Sequence, residues 1–253
     1  MGAEFVGTAM LVSAGIGAAV FAGKDIGTLG IALAFGFALL ALVYAVGPVS
    51  GAHLNPAVTL SFVLSGRMKV GIGIQYWLAQ LLGGILGAAV IVVVRSQVNG
   101  VSQQLYGNNG FGELSQTNTE IGGAFFVEML ATFLFVFVVL AVTSRVANSA
   151  FVGLTVGAAF TVSYLMTIPI SGGGVNPARS LGPAIFAGGE ALSQVWVFLV
   201  APLLGALLAV LVHALVTTER QAAADAAAVA ATPVAKSVKP SGKRPRNKRP
   251  ARR

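Results

Sequence analysis

Six stretches of the chain stay apolar over about 20 residues, the length a bilayer core demands: 3–21, 29–47, 71–94, 121–142, 151–168 and 192–216. They predict six transmembrane helices. After the second and after the fifth the pattern changes. A short run of small and polar residues leads there into an apolar segment of half the usual length, 54–64 and 175–186. At 1.5 Å per residue each half-length helix covers about 15 Å, and two end to end cover about 30 Å. The expected architecture is an all-α membrane protein, with six spans and two half-helices that meet to form a seventh, broken one. Small residues recur at four-residue spacing, as in Gly83-Gly84 and Gly87-Ala88, which permits close backbone approach between helices in lipid.

The two half-length segments are copies of one motif, SGAHLNPAVTL at 50–60 and SGGGVNPARSL at 171–181. Asn is a favoured helix N-cap and Pro fits the first helical turn, where its missing N–H costs nothing. Asn55-Pro56-Ala57 and Asn176-Pro177-Ala178 therefore read as helix starts. Glu4 stands 51 residues before Asn55 and Glu128 stands 48 before Asn176, so the repeat extends to whole halves, about 1–97 and 120–217. Three spans per half is an odd number, and the halves insert with opposite orientation. Inverted repeats place a functional site at their interface near the midplane. Each helix N-terminus brings about half a positive charge there. The side-chain oxygens of Asn55 and Asn176 are expected to cap, leaving both amide NH₂ groups to donate into a lumen. Carbonyls around Gly51, Ala52 and His53, and around Gly172, Gly173 and Gly174, would form a row of acceptors, because irregular backbone at membrane depth is expected where it lines a wet cavity.

Composition fits this picture. Hydrophobic residues make up 56% and charged ones 9% of 253 residues, with a mean hydropathy of +0.84. There is no Cys and only two His, so thiolate or His-based metal sites are excluded and no cofactor is expected. The first apolar run has full span length and contains Glu4, unlike a cleavable signal peptide. The net charge of +8 is a property of one end. Residues 236–253 hold nine Lys or Arg and no acid, and the remainder balances seven basic against eight acidic residues, 7 − 8 = −1. The tail, 218–253, is Ala-rich and then basic. Its prolines and charge favour disorder, with a role as a solvated topology signal or as a binder of anionic headgroups. No nucleic-acid-binding fold accompanies it. Arg67, Lys69, Arg145, Arg220 and the tail fall on one face, which the distribution of basic residues assigns to the cytoplasm together with both termini. The polar connection 96–119 is then external.

With six spans, two inverted halves, SGAHLNPAV, GGGVNPARSLGPA and a Glu in the first span of each half, the chain resembles the aquaporins of the major intrinsic protein family over residues 3–217. The resemblance implies a homotetrameric, multi-pass protein of the cell membrane, with one pore per subunit. It implies a narrow filter of Phe35, Tyr164, Gly173 and Arg179, a pore-lining position for His53, and Glu4 and Glu128 bracing the two pore loops. Tyr164 departs from the pattern. Water-selective members commonly carry His there, and glycerol facilitators a small residue. Glycerol facilitators also carry Asp where this chain has Leu181. The expected function is a passive water channel that excludes ions and protons. The alternative is a facilitator of glycerol or another small neutral solute such as ammonia or hydrogen peroxide. An ion channel or proton-coupled carrier would want a ring or relay of carboxylates, and only Glu4 and Glu128 lie deep. An intramembrane hydrolase would want a nucleophile elbow, Gly-x-Ser-x-Gly, which is missing, and no enzymatic activity is expected. A purely adhesive role leaves the polar loops at membrane depth without a purpose.

Overall fold

The computed structural model describes residues 1–102, 107–144 and 149–217, which contain helices and no strand. The tail 218–253 with its proposed lipid and topology roles, and Arg145 and Arg220, lie outside the described residues. Five helical stretches are long and apolar enough to cross a membrane: Gly2–Ser50, Val70–Ser96, Ile121–Val142, Val152–Ser171 and Gly189–Val216. The first, 49 residues long, is two crossings. Helix α1 (Gly2–Gly17) passes through a π-helical turn (Ala18–Ala22) into α2 (Gly23–Ser50), and the helical path breaks at Gly27, with φ +60° and ψ −168°. That backbone is open to glycine and closed to most residues with a Cβ. On either side of it α1 and α2 pack together. The six crossings predicted by the apolar pattern result.

Helix α2 and helix α6 (Val152–Ser171) outlast their apolar runs by three residues each, running through Pro48 and Pro169 to Ser50 and Ser171. Both stop on a left-handed glycine. Gly51 (φ +86°) donates its N–H to Gly47 O at 2.8 Å, and Gly172 (φ +82°) donates to Ile168 O at 3.0 Å. These are αL caps, which satisfy a carbonyl of the last turn. The chain then folds back as half-helices α3 (Pro56–Leu64) and α7 (Pro177–Ala187). The remaining spans are α4 (Val70–Ser96), α5 (Ile121–Val142) and α8 (Gly189–Val216).

Packing repeats the sequence symmetry. Helix α1 lies on α4 as α5 lies on α8, α2 lies on α6 across the two halves, α7 lies on α4, and α3 lies on α8. Glycines sit where backbones meet. A Cβ on Gly83 would strike the Phe5 carbonyl of α1, and one on Gly205 would strike the Met129 carbonyl of α5. Half-helix α7 rests on α4 at two glycines: a Cβ on Gly84 would strike the Ala178 carbonyl, and one on Gly182 would strike the Gly84 carbonyl. The connection after α4 closes over the end of α6. Gly110 N–H donates to Ser171 O at 3.1 Å, Ser115 Oγ to Ile170 O at 2.7 Å and Thr117 Oγ1 to Pro169 O at 3.1 Å. Carbonyls that a helix end leaves unpaired are thus satisfied by the loop. The face bearing this connection is the loop face below. The face bearing Met1 and the end of α8 is the terminal face.

Candidate functional site

Each irregular segment between a long helix and its half-helix is strapped to a buried carboxylate. Glu4 and Glu128 are both fully buried. Glu4 Oε1 accepts from Ser50 Oγ at 2.6 Å and His53 N–H at 3.0 Å, and Oε2 accepts from Leu54 N–H at 2.8 Å and Gln80 Nε2 at 2.7 Å. Glu128 accepts from Ser171 Oγ at 2.5 Å, Gly174 N–H at 2.8 Å and Val175 N–H at 2.6 Å. A buried carboxylate is costly unless donors surround it, and backbone N–H groups held this way make strong, charge-assisted bonds. Gly174 is fixed by the contact, because a Cβ there would lie 2.6 Å from Glu128 Oε2.

The residues before the two asparagines hold unusual backbone. Leu54 has φ +49° and Val175 φ +57°, a strained region for a residue with a Cβ and more so for a β-branched one. The twist turns each carbonyl across the repeat interface. Asn176 Nδ2 donates to Leu54 O at 2.8 Å, and Asn55 Nδ2 donates to Val175 O at 3.1 Å. The other end of each amide is the cap: Asn55 Oδ1 accepts Ala57 N–H at 2.8 Å, and Asn176 Oδ1 accepts Ala178 N–H at 3.0 Å and Arg179 N–H at 3.3 Å. The half-helices that start at Pro56 and Pro177 therefore meet start to start. The expectation of two wholly free amides is corrected. One N–H of each is spent on the opposite loop, because a buried left-handed carbonyl needs a donor, and each NH₂ retains one further N–H.

Phe35 of α2, Tyr164 of α6, Gly173 and Arg179 come together on the loop-face side. Phe35 and Tyr164 stack with ring centroids 4.2 Å apart, and the Arg179 guanidinium lies 5.2 Å above the Phe35 ring, a cation–π contact. Arg179 is held by Gly107 O at 2.9 Å, Asn109 Oδ1 at 3.1 Å and Gly172 O at 3.3 Å, while its buried Nε has no partner. Tyr164 fills the space that Gly173 leaves. A Cβ on Gly173 would stand 3.0 Å from the Tyr164 ring, and the Tyr164 hydroxyl donates to Gly174 O at 3.2 Å. The carbonyls of Gly172 and Gly174, expected as open acceptors, each already hold a protein donor, Arg179 and Tyr164.

A cavity opens on each side of this cluster. The one on the terminal face, about 30 Å³, is lined by Gly51, Ala52, His53, Leu39, Val43 and Phe135 among others. The one on the loop face, about 380 Å³, reaches Gly172, Arg179, Ile168, Ile31, Asn108 and Glu113. Between them Phe35 and Tyr164 are 0% exposed, Phe160 1%, Asn176 0% and Asn55 2%, so this stretch is the tightly packed middle of the path. His53 borders the terminal-face cavity while its Nδ1 pairs with Thr59 Oγ1 at 3.1 Å. The other histidine, His213, is buried with its ring 6.1 Å from Phe137.

Sequence reasoning missed several supports. Gln80 joins Glu4 to Thr59, with Nε2 at 2.8 Å from Thr59 Oγ1. Its signal was present, since an amide inside an apolar span needs a partner. Tyr76 donates to Ser50 O at 2.8 Å and Trp77 Nε1 to Pro56 O at 2.9 Å, fastening α4 to the first loop and half-helix. Gly107 and Asn109 anchor Arg179 from more than 65 residues away, and no local pattern points to them.

Six crossings in two inverted halves, with two capped half-helices joined at their starts, define an inverted-repeat integral membrane protein. The chain belongs to the Major intrinsic protein family, which it matches over residues 1–213. It is 42% identical over 216 residues to a protein named Aquaporin Z of Brucella melitensis biotype 1, covering 84% of this chain and 95% of that one. It is 44% identical over 208 residues to one named Glycerol uptake facilitator protein-like 6 of Lactiplantibacillus plantarum, covering 82% of this chain and 93% of that one. The X-ray structure of the aquaglyceroporin from Plasmodium falciparum has the same fold, with a TM-score of 0.75 at 23% identity over 85% of this chain and 94% of that one.

Proposed function

We propose that the protein is a passive water channel of the cell membrane that excludes ions and protons, with glycerol or another small neutral solute as the alternative cargo. The observation that carries this reading is the joining of the two half-helix starts by Asn55 and Asn176. Two positive helix ends oppose cations at the middle of the path. The one remaining N–H of each amide is the donor for a passing oxygen, which orients that water and interrupts the hydrogen-bond chain a proton would follow. The unpartnered Arg179 Nε is a third donor, and the Arg179 charge a second barrier to cations. Glu4 and Glu128 are occupied as loop acceptors, so neither serves as a cation ring.

Water is favoured over glycerol because Phe35 and Tyr164 are bulky and Leu181 stands where resemblance puts Asp in glycerol facilitators. The relatives named for water and for glycerol lie at similar identity, which keeps the second cargo open to test. Both termini face the cytoplasm in this reading, and the protein assembles as a homotetramer. Purified full-length chain in liposomes, subjected to an impermeant osmolyte, should shrink several-fold faster than empty liposomes, and the same protein in a planar bilayer should pass no current. Measurable ionic current, or shrinkage no faster than lipid alone, would refute the reading. Glycerol entry matching water entry would select the alternative.

A further inference from the structure

We propose that Phe160 is a second size-selecting residue, stacked one helical turn beneath Tyr164, so that opening the pore at Tyr164 alone does not admit a three-carbon polyol. The inference rests on the channel reading above.

On α6 the residues four apart form one stripe, as helical periodicity requires. Val156 lines the terminal-face cavity, Ile168 lines the loop-face cavity, and Phe160 and Tyr164 between them line neither. On α2 the stripe Ile31, Phe35, Leu39 repeats the arrangement: Ile31 belongs to the loop-face cavity, Leu39 to the terminal-face cavity, and Phe35 lies between. The tightly packed segment between the two cavities is therefore bounded on two helices independently. It contains three rings, and Phe160 is the one no motif marks. Its ring is 4.6 Å from Tyr164, 6.3 Å from Phe35 at 78°, and 4.9 Å from Phe135, which itself lines the terminal-face cavity.

The two rings differ in what they can do. Tyr164 is held at its tip by a hydrogen bond to Gly174 O and by the neighbouring Arg179 guanidinium, and the 380 Å³ cavity begins one turn away at Ile168. It has a place to swing. Phe160 is edged by three aromatic rings, those of Phe35, Phe135 and Tyr164. Displacing Tyr164 thus exposes Phe160 as the next obstacle, leaving a gap that suits a single water and is too small for a carbon chain bearing hydroxyls.

The test uses full-length protein in liposomes: wild type, Phe160→Leu, Tyr164→Ala and the double variant. Water permeability and glycerol entry are read per inserted molecule, and a melting temperature is taken for each. Tyr164→Ala is expected to raise water permeability while glycerol entry stays near that of wild type. The double variant is expected to raise glycerol entry about tenfold over Tyr164→Ala, the scale that small volume changes carry in an apolar site. Equal glycerol entry in Tyr164→Ala and the double variant would overturn the inference. So would a double variant that is folded and conducts water yet still excludes glycerol, since Phe160 would then be packing only. Water flux no greater than lipid alone in all four proteins would overturn the channel reading and this inference together. If Phe160→Leu fails to insert, Phe160→Met, close in volume and flexible, takes its place under the same criteria.

Discussion

At the scale of single residues, the two buried glutamates set the geometry of everything between them. Glu128 satisfies three donors with two oxygens. Glutamine in its place keeps one oxygen and turns an NH₂ toward the N–H of either Gly174, on Oε1, or Val175, on Oε2. In this fully buried site, the unsatisfied donor and the N–H facing it should cost about 3 kcal/mol. Glu128→Gln should therefore lower the unfolding temperature in detergent by several degrees, and Glu113→Gln, on an exposed side chain, should leave it unchanged. Equal shifts for the two would mean that Glu128 is not the strap. Legibility differs residue by residue. Glu4, Glu128 and Arg179 stood out because a charge at membrane depth is conspicuous in an apolar run. The partners of Arg179 did not, because a glycine carbonyl and an asparagine in a polar loop resemble their neighbours until the loop folds over the helix end. Tyr164 was visible as a departure from the family pattern, but its direction depends on the empty space at Gly173, which is a fact of packing.

At the scale of elements, the half-helices were readable because Asn-Pro-Ala carries its own start signal, and they begin at the predicted prolines. The ends of α2 and α6 were not. Pro48 and Pro169 suggest a stop, yet each helix continues for a turn because its final serine is bonded to a buried glutamate and its last carbonyls meet a glycine cap or the loop. The joined asparagines give this scale its prediction. Asn55→Ala removes the bond to Ala57 N–H and the bond to Val175 O together. A lost cap costs about 1 kcal/mol and the unsatisfied Val175 carbonyl a similar amount. Unit water permeability should fall and thermal stability should drop by about 2 kcal/mol, read by stopped-flow shrinkage and by detergent melting. A variant with undiminished flux and stability would show that the bond across the interface is idle.

For the whole molecule, the inverted repeat makes the spans, the straps and the joined starts appear twice. The exceptions to the symmetry carry the chemistry that distinguishes the two faces: Arg179 with its loop anchors on one side, His53 with Thr59 and Gln80 on the other. The basic appendage lies outside this frame. Truncation after residue 217 should leave water permeability per inserted molecule unchanged within a factor of about two, since the straps and lining residues found among the described residues all precede it; a larger loss would assign the appendage to the transport machinery. The exchange of amide and carbonyl between Asn55 and Val175, and between Asn176 and Leu54, also bears on biosynthesis. The first re-entrant loop is synthesised about 120 residues ahead of the atoms that lock it. A nascent chain whose first three spans are already inserted still has an open latch, so the midplane hardens only when the second copy of the motif emerges and docks, late in assembly.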